Sequence, residues 1–422
     1  MKVLVISRNA WDDTNSIGNT LTNFFQNLDG IEVANIYFRG ASPKNKVCKE
    51  YYRVSETEVL KNWLTPDKIG RHFFQEQKDT SVPVESKEKK LIRVIHRFGL
   101  RFAYKLSDTL WYSEKWINGN LKQFVETFSP DLVFSFVKSA PQYYLTIKYL
   151  RENFDIPLLT WIADDEYTGL HKRNAYREIQ NLSYILAEST EVRGCSEEIC
   201  EYYNSIFGCQ ATPLYKSCDL VTPVKDVVGN PIKIVYAGNL LYGRLEIIRE
   251  ISKAIEAYTS ERKKEVAFEI YSNTLLSESE KASFEQLHGT VYMGQRDYET
   301  IKVQLAKADI VLHAESFDEE QILKTKYSFS TKIIDCLQSG SVLLGIGPKE
   351  ISSIKYIGRI PGACVIDDLQ MLHEHLFDLL DHAESFSQRA KCIREFACKN
   401  HDAVIWAEEF KNTITGIIKG RL

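Results

Sequence analysis

The stretch "YSFSTKIIDCLQSGSVLLGIGP" (327–348) holds two patterns back to back. Ile333, Ile334 and Leu337 recur at helical spacing and stop at Gly340, a glycine where a helix is expected to end. An uninterrupted apolar run, Val342 to Ile346, follows at once, as in a strand buried on both faces. A helix feeding directly into such a strand is the repeating unit of a parallel sheet covered by helices. Working outward, the same alternation returns in the strand "IKIVYAGNL" (232–240), a helix ending near Tyr258, the strand "VAFEIYSN" (266–273) and a helix before "GTVYMGQ" (289–295). The helix "YETIKVQLAKA" (298–308) and the strand "DIVLHAE" (309–315) continue it. This half reads as a doubly wound α/β domain.

The first half opens the same way. "KVLVIS" (2–7) is a buried strand, "LTNFFQNL" (21–28) a helical pattern and "IEVANIYF" (31–38) a second strand, which predicts a right-handed crossover and parallel pairing. Strands at Leu132 to Phe136 and Leu158 to Ile162, each fed by a helix, extend the sheet. Between 41 and 120 the alternation breaks into a helical, charged, aromatic insert. Its part from 89 to 122 carries eight Lys or Arg against Asp108 and Glu114. A basic amphipathic helix there could lie on an anionic membrane surface; a solvated helix face with Trp111 and Trp116 in the core explains the same pattern. The aperiodic stretch 213–233 reads as a linker. The expectation is therefore a first domain of 1–222 joined by a terminal helix at about 401–422, and a second domain of 223–400.

At 422 residues the chain exceeds one ordinary core. Hydrophobic content of 44% and aromatic content of 12% exclude disorder. A net charge of -4 argues against a general nucleic-acid binder. With no secretory apolar run and no spanning segment, a cytoplasmic protein is expected, at most peripheral at the inner face of the membrane. The nine cysteines are odd in number and read as reduced thiols. Cys195, Cys200, Cys209 and Cys218 cluster in sequence but lack Cys-x-x-Cys spacing, so no metal is expected.

Ligands of doubly wound domains bind at the carboxyl ends of strands. After "IVYAG" come Gly238, Asn239 and, past Gly243, Arg244: glycines let backbone approach a phosphate, and a guanidinium binds its oxygens in pairs. Such a loop can also be a plain turn. Ser330, Thr331 and Lys332 open the helix of the quoted stretch, where free amides, hydroxyls and an ammonium favour an anion. Ser and Thr also cap helices with no ligand at all.

Taken in order, "KIVYAGNLLYGR" (233–244), "ADIVLHAESF" (308–317) and "FSTKIIDCLQSGSVLLGIGP" (329–348) resemble the C-terminal domain of GT-B glycosyltransferases, more narrowly the family 4-like group. "SPDLVFSF" (129–136) and "LTWIADD" (159–165) extend the resemblance weakly into the first half. The resemblance implies two Rossmann-like domains facing each other across a cleft, with the C-terminal helix crossing back. It also implies transfer of a sugar, with retention, from a UDP- or GDP-linked donor to a hydroxyl of a lipid-linked or growing glycan, as in bacterial capsule, exopolysaccharide or lipopolysaccharide assembly. No essential metal or other cofactor is implied. The donor diphosphate would meet Gly238, Asn239, Arg244, Ser330, Thr331 and Lys332, and the ribose Asp335.

The family pattern of Glu, seven residues, Glu is altered here. The second position is Asp335, the first is Tyr327, and Glu315 becomes a candidate for the missing carboxylate. Asp164 and Asp165, at a strand's carboxyl end, are candidates to orient an acceptor hydroxyl or take its proton, or to cap the next helix. Asn15, Ser16 and Gly18 are placed on the acceptor side. His313 is either a sugar contact or a core histidine, and His401 and Trp406 are read as packing. Two alternatives stay open: a nucleotide-sugar 2-epimerase on the same fold, and a non-catalytic scaffold that keeps the fold and loses the chemistry.

Overall fold

The computed structural model describes residues 1–40, 42–75 and 101–420, with the side chains of 101–106 excluded. The chain divides into two compact units, Met1–Leu214 with Ala407–Leu422, and Tyr215–Trp406.

The first unit is built on an eight-stranded sheet. Its strands are β1 (Lys2–Asn9), β2 (Glu32–Arg39), β3 (Glu50–Arg53), β4 (Arg71–Phe74), β5 (Leu132–Phe136), β6 (Leu158–Ile162), β7 (Glu191–Gly194) and β8 (Thr212–Pro213), in the order β4-β3-β2-β1-β5-β6-β7-β8. All pairings are parallel except β3 with β4. β1 and β5 are neighbours, and from them the chain winds outward in opposite directions, so their carboxyl ends mark the switch point where such sheets bind ligands. The insert, expected to be helical, also supplies β3 and, beyond it, the edge strand β4. They escape a pattern search because "EYYR" and "RHFF" are four residues each and flanked by charge.

Trp111 and Trp116 are buried at 5.4 Å between ring centroids, edge to face, with Phe38 against both. Residues 89–100 of the basic segment lie outside the described residues. The helix Ala403–Lys419 begins in the second unit and ends in the first. There Phe410 lies 5.9 Å from both Phe24 and Phe25, and Ile414 is fully buried.

The second unit holds a six-stranded, wholly parallel sheet of β9 (Ile232–Ala237), β10 (Val266–Tyr271), β11 (Thr290–Gly294), β12 (Ile310–Ala314), β13 (Val342–Ile346) and β14 (Cys364–Ile366), in the order β11-β10-β9-β12-β13-β14. The switch point lies between β9 and β12. The helix of the quoted stretch runs Lys332–Leu337, and Gly340 has φ +78°. A Cβ on Gly340 would stand 2.2 Å from the Pro223 carbonyl oxygen, so only glycine fits.

The stretch expected to be a linker is instead sewn to this unit. Cys218 N–H donates to the His401 carbonyl at 2.6 Å and Lys225 N–H to that of Gly340 at 3.0 Å, while the Arg394 guanidinium donates to the Leu220 and Thr222 carbonyls at 2.8 and 2.6 Å. Asp309, itself buried, accepts the Gly229 and Lys233 amides at 3.0 and 2.7 Å and pairs with the Lys225 ammonium at 2.7 Å. Irregular backbone is stable here because these groups satisfy it.

Candidate active site

At the switch point of the second unit, the loop after β9 is tied down before it meets any ligand. Tyr236 donates from its hydroxyl to the Asn239 carbonyl at 2.6 Å, and the Leu240 amide donates to Thr274 Oγ1 at 2.9 Å. Gly243 has φ +73° and opens the helix Arg244–Arg262; a Cβ there would lie 2.4 Å from Ser316 Oγ. The turn therefore seats Arg244 across the carboxyl ends of β9 and β12.

Arg244 Nη2 donates to both Glu315 carboxylate oxygens at 2.8 Å, and Nε to Oε2 at 3.1 Å and to the Ala314 carbonyl at 3.2 Å. Nη1 donates to Asn239 Oδ1 at 2.9 Å. Both side chains are buried, at 12% and 3% exposure. Burial alone would raise the Glu315 carboxyl, but His313, with Nε2 3.1 Å from Oε1, and Arg244 together hold it below the usual glutamate range. The same pairing overcomes desolvation to raise the Arg244 guanidinium. Glu315 is thus an ionised anchor with both oxygens occupied. It has no proton to donate and no face free for a sugar, so the geometry makes it the residue that positions Arg244. His313 belongs to the same buried cluster, which favours its reading as a core histidine.

Ser330, Thr331 and Lys332 are the opposite case. The Ser330 amide donates to Ser353 Oγ at 2.9 Å, yet among the described residues neither the Ser330 nor the Thr331 hydroxyl has a partner. Thr331 takes helical backbone angles at the N-cap and makes no side-chain cap bond, so the plain-cap reading fails here. The Lys332 side chain is exposed, and among the described residues no carboxylate or carbonyl pairs with its ammonium. Desolvation by the surrounding protein and then the Arg244 charge push that ammonium below the usual lysine range, against Asp335 and Glu315. Two free hydroxyls and one destabilised cation thus stand together at the helix start. Asp335, one turn on, is held through Oδ1 by the Tyr298 hydroxyl at 3.2 Å and the Lys216 ammonium at 3.6 Å. Tyr327 has the Lys326 ammonium 5.3 Å from its ring centroid.

In the first unit, Asp164 is 62% exposed and 3.7 Å from the Lys138 ammonium. Asp165 Oδ1 accepts the Thr168 amide at 3.2 Å, a capping contact to the helix Tyr167–Lys172. The carboxylate that dominates this corner is Glu166. It accepts the Ser139 amide and hydroxyl at 2.8 Å each and pairs with Lys138 at 3.0 Å. Against desolvation, Lys138 and Ser139 hold Glu166 low, while Glu166 and Asp164 hold Lys138 high. Sequence reading stopped at Asp165. The signal for Lys138 was its place just after β5, beside the switch point. Asn15 caps the helix Ser16–Phe25 by accepting the Gly18 amide at 2.9 Å, and a Cβ on Gly18 would stand 2.1 Å from the Asp12 carbonyl oxygen. Of that trio, only Ser16 keeps an exposed side chain.

His401 is buried, with Nδ1 3.0 Å from the Lys216 carbonyl oxygen and Nε2 against the Tyr356 hydroxyl; desolvation pushes it down to about 4. Trp406 donates from its indole to the Tyr215 carbonyl at 2.9 Å. Both are packing residues. Cys195 and Cys218 donate weakly to the Ala163 and Ile334 carbonyls at 3.2 and 3.4 Å. Among the described residues no three His, Cys, Asp or Glu side chains group as metal ligands, and no helix is long and apolar enough to cross a membrane.

No protein-family model and no curated protein matches the chain. Solved structures do. Anabaena HepE in complex with UDP and glucose is 11% identical over 99% of this chain and 100% of its own, with a TM-score of 0.64. Sucrose-phosphate synthase from Thermosynechococcus elongatus is 12% identical over 99% of both chains, at 0.61. WaaG, a glycosyltransferase involved in lipopolysaccharide biosynthesis, is 14% identical over 98% of this chain and 100% of its own, at 0.58. Identity this low is a likeness of fold, and the fold is GT-B: two parallel-dominant α/β sheets covered by helices.

Proposed function

We propose that this protein is a glycosyltransferase that takes a sugar from a nucleotide diphosphate donor, with retention at the anomeric carbon, and passes it to a hydroxyl of a lipid-linked or growing surface glycan. The observation that carries the reading is Lys332. An exposed lysine whose ammonium has no carboxylate partner among the described residues, beside the free hydroxyls of Ser330 and Thr331, suits an oxyanion. The leaving diphosphate develops that charge in the transition state, where a preorganised cation counts most. Arg244, fixed by Glu315 and Asn239, adds positive potential and one remaining Nη1 donor. Asp335 suits a ribose hydroxyl. In the first unit, Asp164 suits the acceptor hydroxyl, with Lys138 and Glu166 holding the corner rigid. A uridine donor is favoured, since UDP and glucose are named with HepE and UDP-2-fluoro glucose with the Escherichia coli trehalose-6-phosphate structure. No essential metal is expected. Contact of 89–122 with an anionic membrane at the cytoplasmic face, and no role for nucleic acid, belong to the same reading.

Titration calorimetry with nucleotide diphosphates tests it. UDP is expected to bind, and Lys332→Ala to weaken it about tenfold or more, the scale of a charge-assisted contact. A donor-hydrolysis screen then identifies the sugar. Tyr327 at the family glutamate position and the occupied carboxylate of Glu315 favour one competing reading, a nucleotide-binding scaffold. It predicts binding with neither hydrolysis nor transfer of any donor. Absence of binding by every nucleotide diphosphate defeats both.

A further inference from the structure

Asp335 is asymmetric. Both of its protein contacts fall on Oδ1, from the Tyr298 hydroxyl at 3.2 Å and the Lys216 ammonium at 3.6 Å. Among the described residues nothing meets Oδ2. Lys216 is 3% exposed, a buried lysine whose ammonium pairs with Asp335. Tyr298, from the helix Tyr298–Lys307 that follows β11, is itself touched by Gln338 Nε2 at 3.5 Å, so its hydroxyl is aimed from two sides. The other groups that feel this carboxylate are Lys332, the Cys218 and Cys336 thiols, and Tyr298 itself, whose phenol is pushed up by burial and then by Asp335.

We infer that Lys216 and Tyr298 are positioning residues that lock one oxygen of Asp335 and leave the other to accept a single ribose hydroxyl of the donor nucleotide. The inference rests on the donor reading above and adds a specificity to it. A carboxylate with both oxygens free takes the two vicinal hydroxyls of a ribose together. Here only Oδ2 is uncommitted, and a single open oxygen favours one short bond to the nearer hydroxyl, so the site distinguishes the 2′- from the 3′-hydroxyl. Lys216 lies in the irregular stretch 215–231 and Tyr298 37 residues before Asp335, so neither is marked by spacing. The fold alone brings them to Asp335.

The test measures affinity of the full chain for UDP, 2′-deoxy-UDP and 3′-deoxy-UDP by calorimetry. In the unmodified protein one deoxy form is expected to lose about tenfold and the other less than about twofold, since the lost bond runs to a charged acceptor. Tyr298→Phe, a half-exposed ring that keeps its packing, and Lys216→Met are expected to bring both ratios toward one; Lys216→Arg is expected to restore the discrimination. Should Lys216→Met fail to fold, Tyr298→Phe carries the test. Equal losses for both deoxy forms overturn the inference, as does a discrimination that survives Tyr298→Phe. If UDP itself does not bind, the donor reading falls first and this inference with it, a result distinct from binding without discrimination.

Discussion

Removing the Glu315 charge is expected to destabilise the second unit specifically. Arg244 and Glu315 are 12% and 3% exposed, and Arg244 makes three bonds to the carboxylate at 2.8 to 3.1 Å. Deleting one partner of such a buried pair leaves the other charge uncompensated, at a cost of about 3–5 kcal/mol. Glu315→Gln keeps the shape and one acceptor, so the lower end, about 3 kcal/mol, is expected. With a urea slope of about 2 kcal/mol/M, the midpoint falls by about 1.5 M. Five of the six tryptophans lie in the first unit, so tryptophan fluorescence reports mainly on the wrong half. Hydrogen exchange at rising urea, read on peptides covering β9 and β12 against peptides covering β1 and β5, separates the two. The double substitution Arg244→Met with Glu315→Leu is expected to recover most of the loss, because no charge is then left buried. The pH dependence has a sign as well. Glu315 is held below its ordinary range when folded, so its contribution is full above that range and is lost as pH falls through its folded value. Glu315→Gln removes that acid-sensitive part. A shift smaller than about 0.5 M in the second unit, or an equal shift in both, would refute a buried, mutually dependent pair.

Other outcomes follow from the same geometry. His401 is neutral when folded, with a value near 4 against 6.5, so stability is expected to be full above pH 6.5 and to fall by up to about 3 kcal/mol toward pH 4; urea melts of His401→Asn across that window should lose the dependence. Because the Lys332 ammonium is depressed below 10.5, nucleotide affinity is expected to decline with rising pH before that value, and calorimetry of Lys332→Arg should show the decline abolished. Gly340→Ala, at φ +78° with the Pro223 carbonyl in the way, is expected to cost about 2 kcal/mol or more in urea unfolding. Asp164→Asn, 62% exposed, is expected to leave melting and donor hydrolysis unchanged while slowing transfer to acceptor.

Where side chains alternate regularly, the sequence was legible residue by residue. β5 and β6 run Leu132–Phe136 and Leu158–Ile162 as their apolar runs imply, since strands buried on both faces leave no choice of register. The first helix starts at Ser16, five residues before its apolar pattern, because the Asn15 cap rather than Leu21 fixes its beginning. The stretch 215–231 defeated periodicity altogether. Its order comes from distant partners, Asp309, Arg394 and His401, that no local pattern names. The site divides the same way. Residue types at the strand ends were visible, but which of them were free was not. Arg244 and Glu315 look like two ligand groups in sequence and consume each other in space, whereas Lys332 is left over.

The division of the chain also fixes an order of completion during synthesis. The second unit is one continuous segment, Tyr215–Trp406, and has all its residues once Trp406 has left the ribosome. The first unit still lacks Phe410 and Ile414 at that moment, so Phe24 and Phe25 have no aromatic partner from the terminal helix. The half that emerges first is therefore the last to close its core. Until then it is the half whose apolar surface a chaperone would meet.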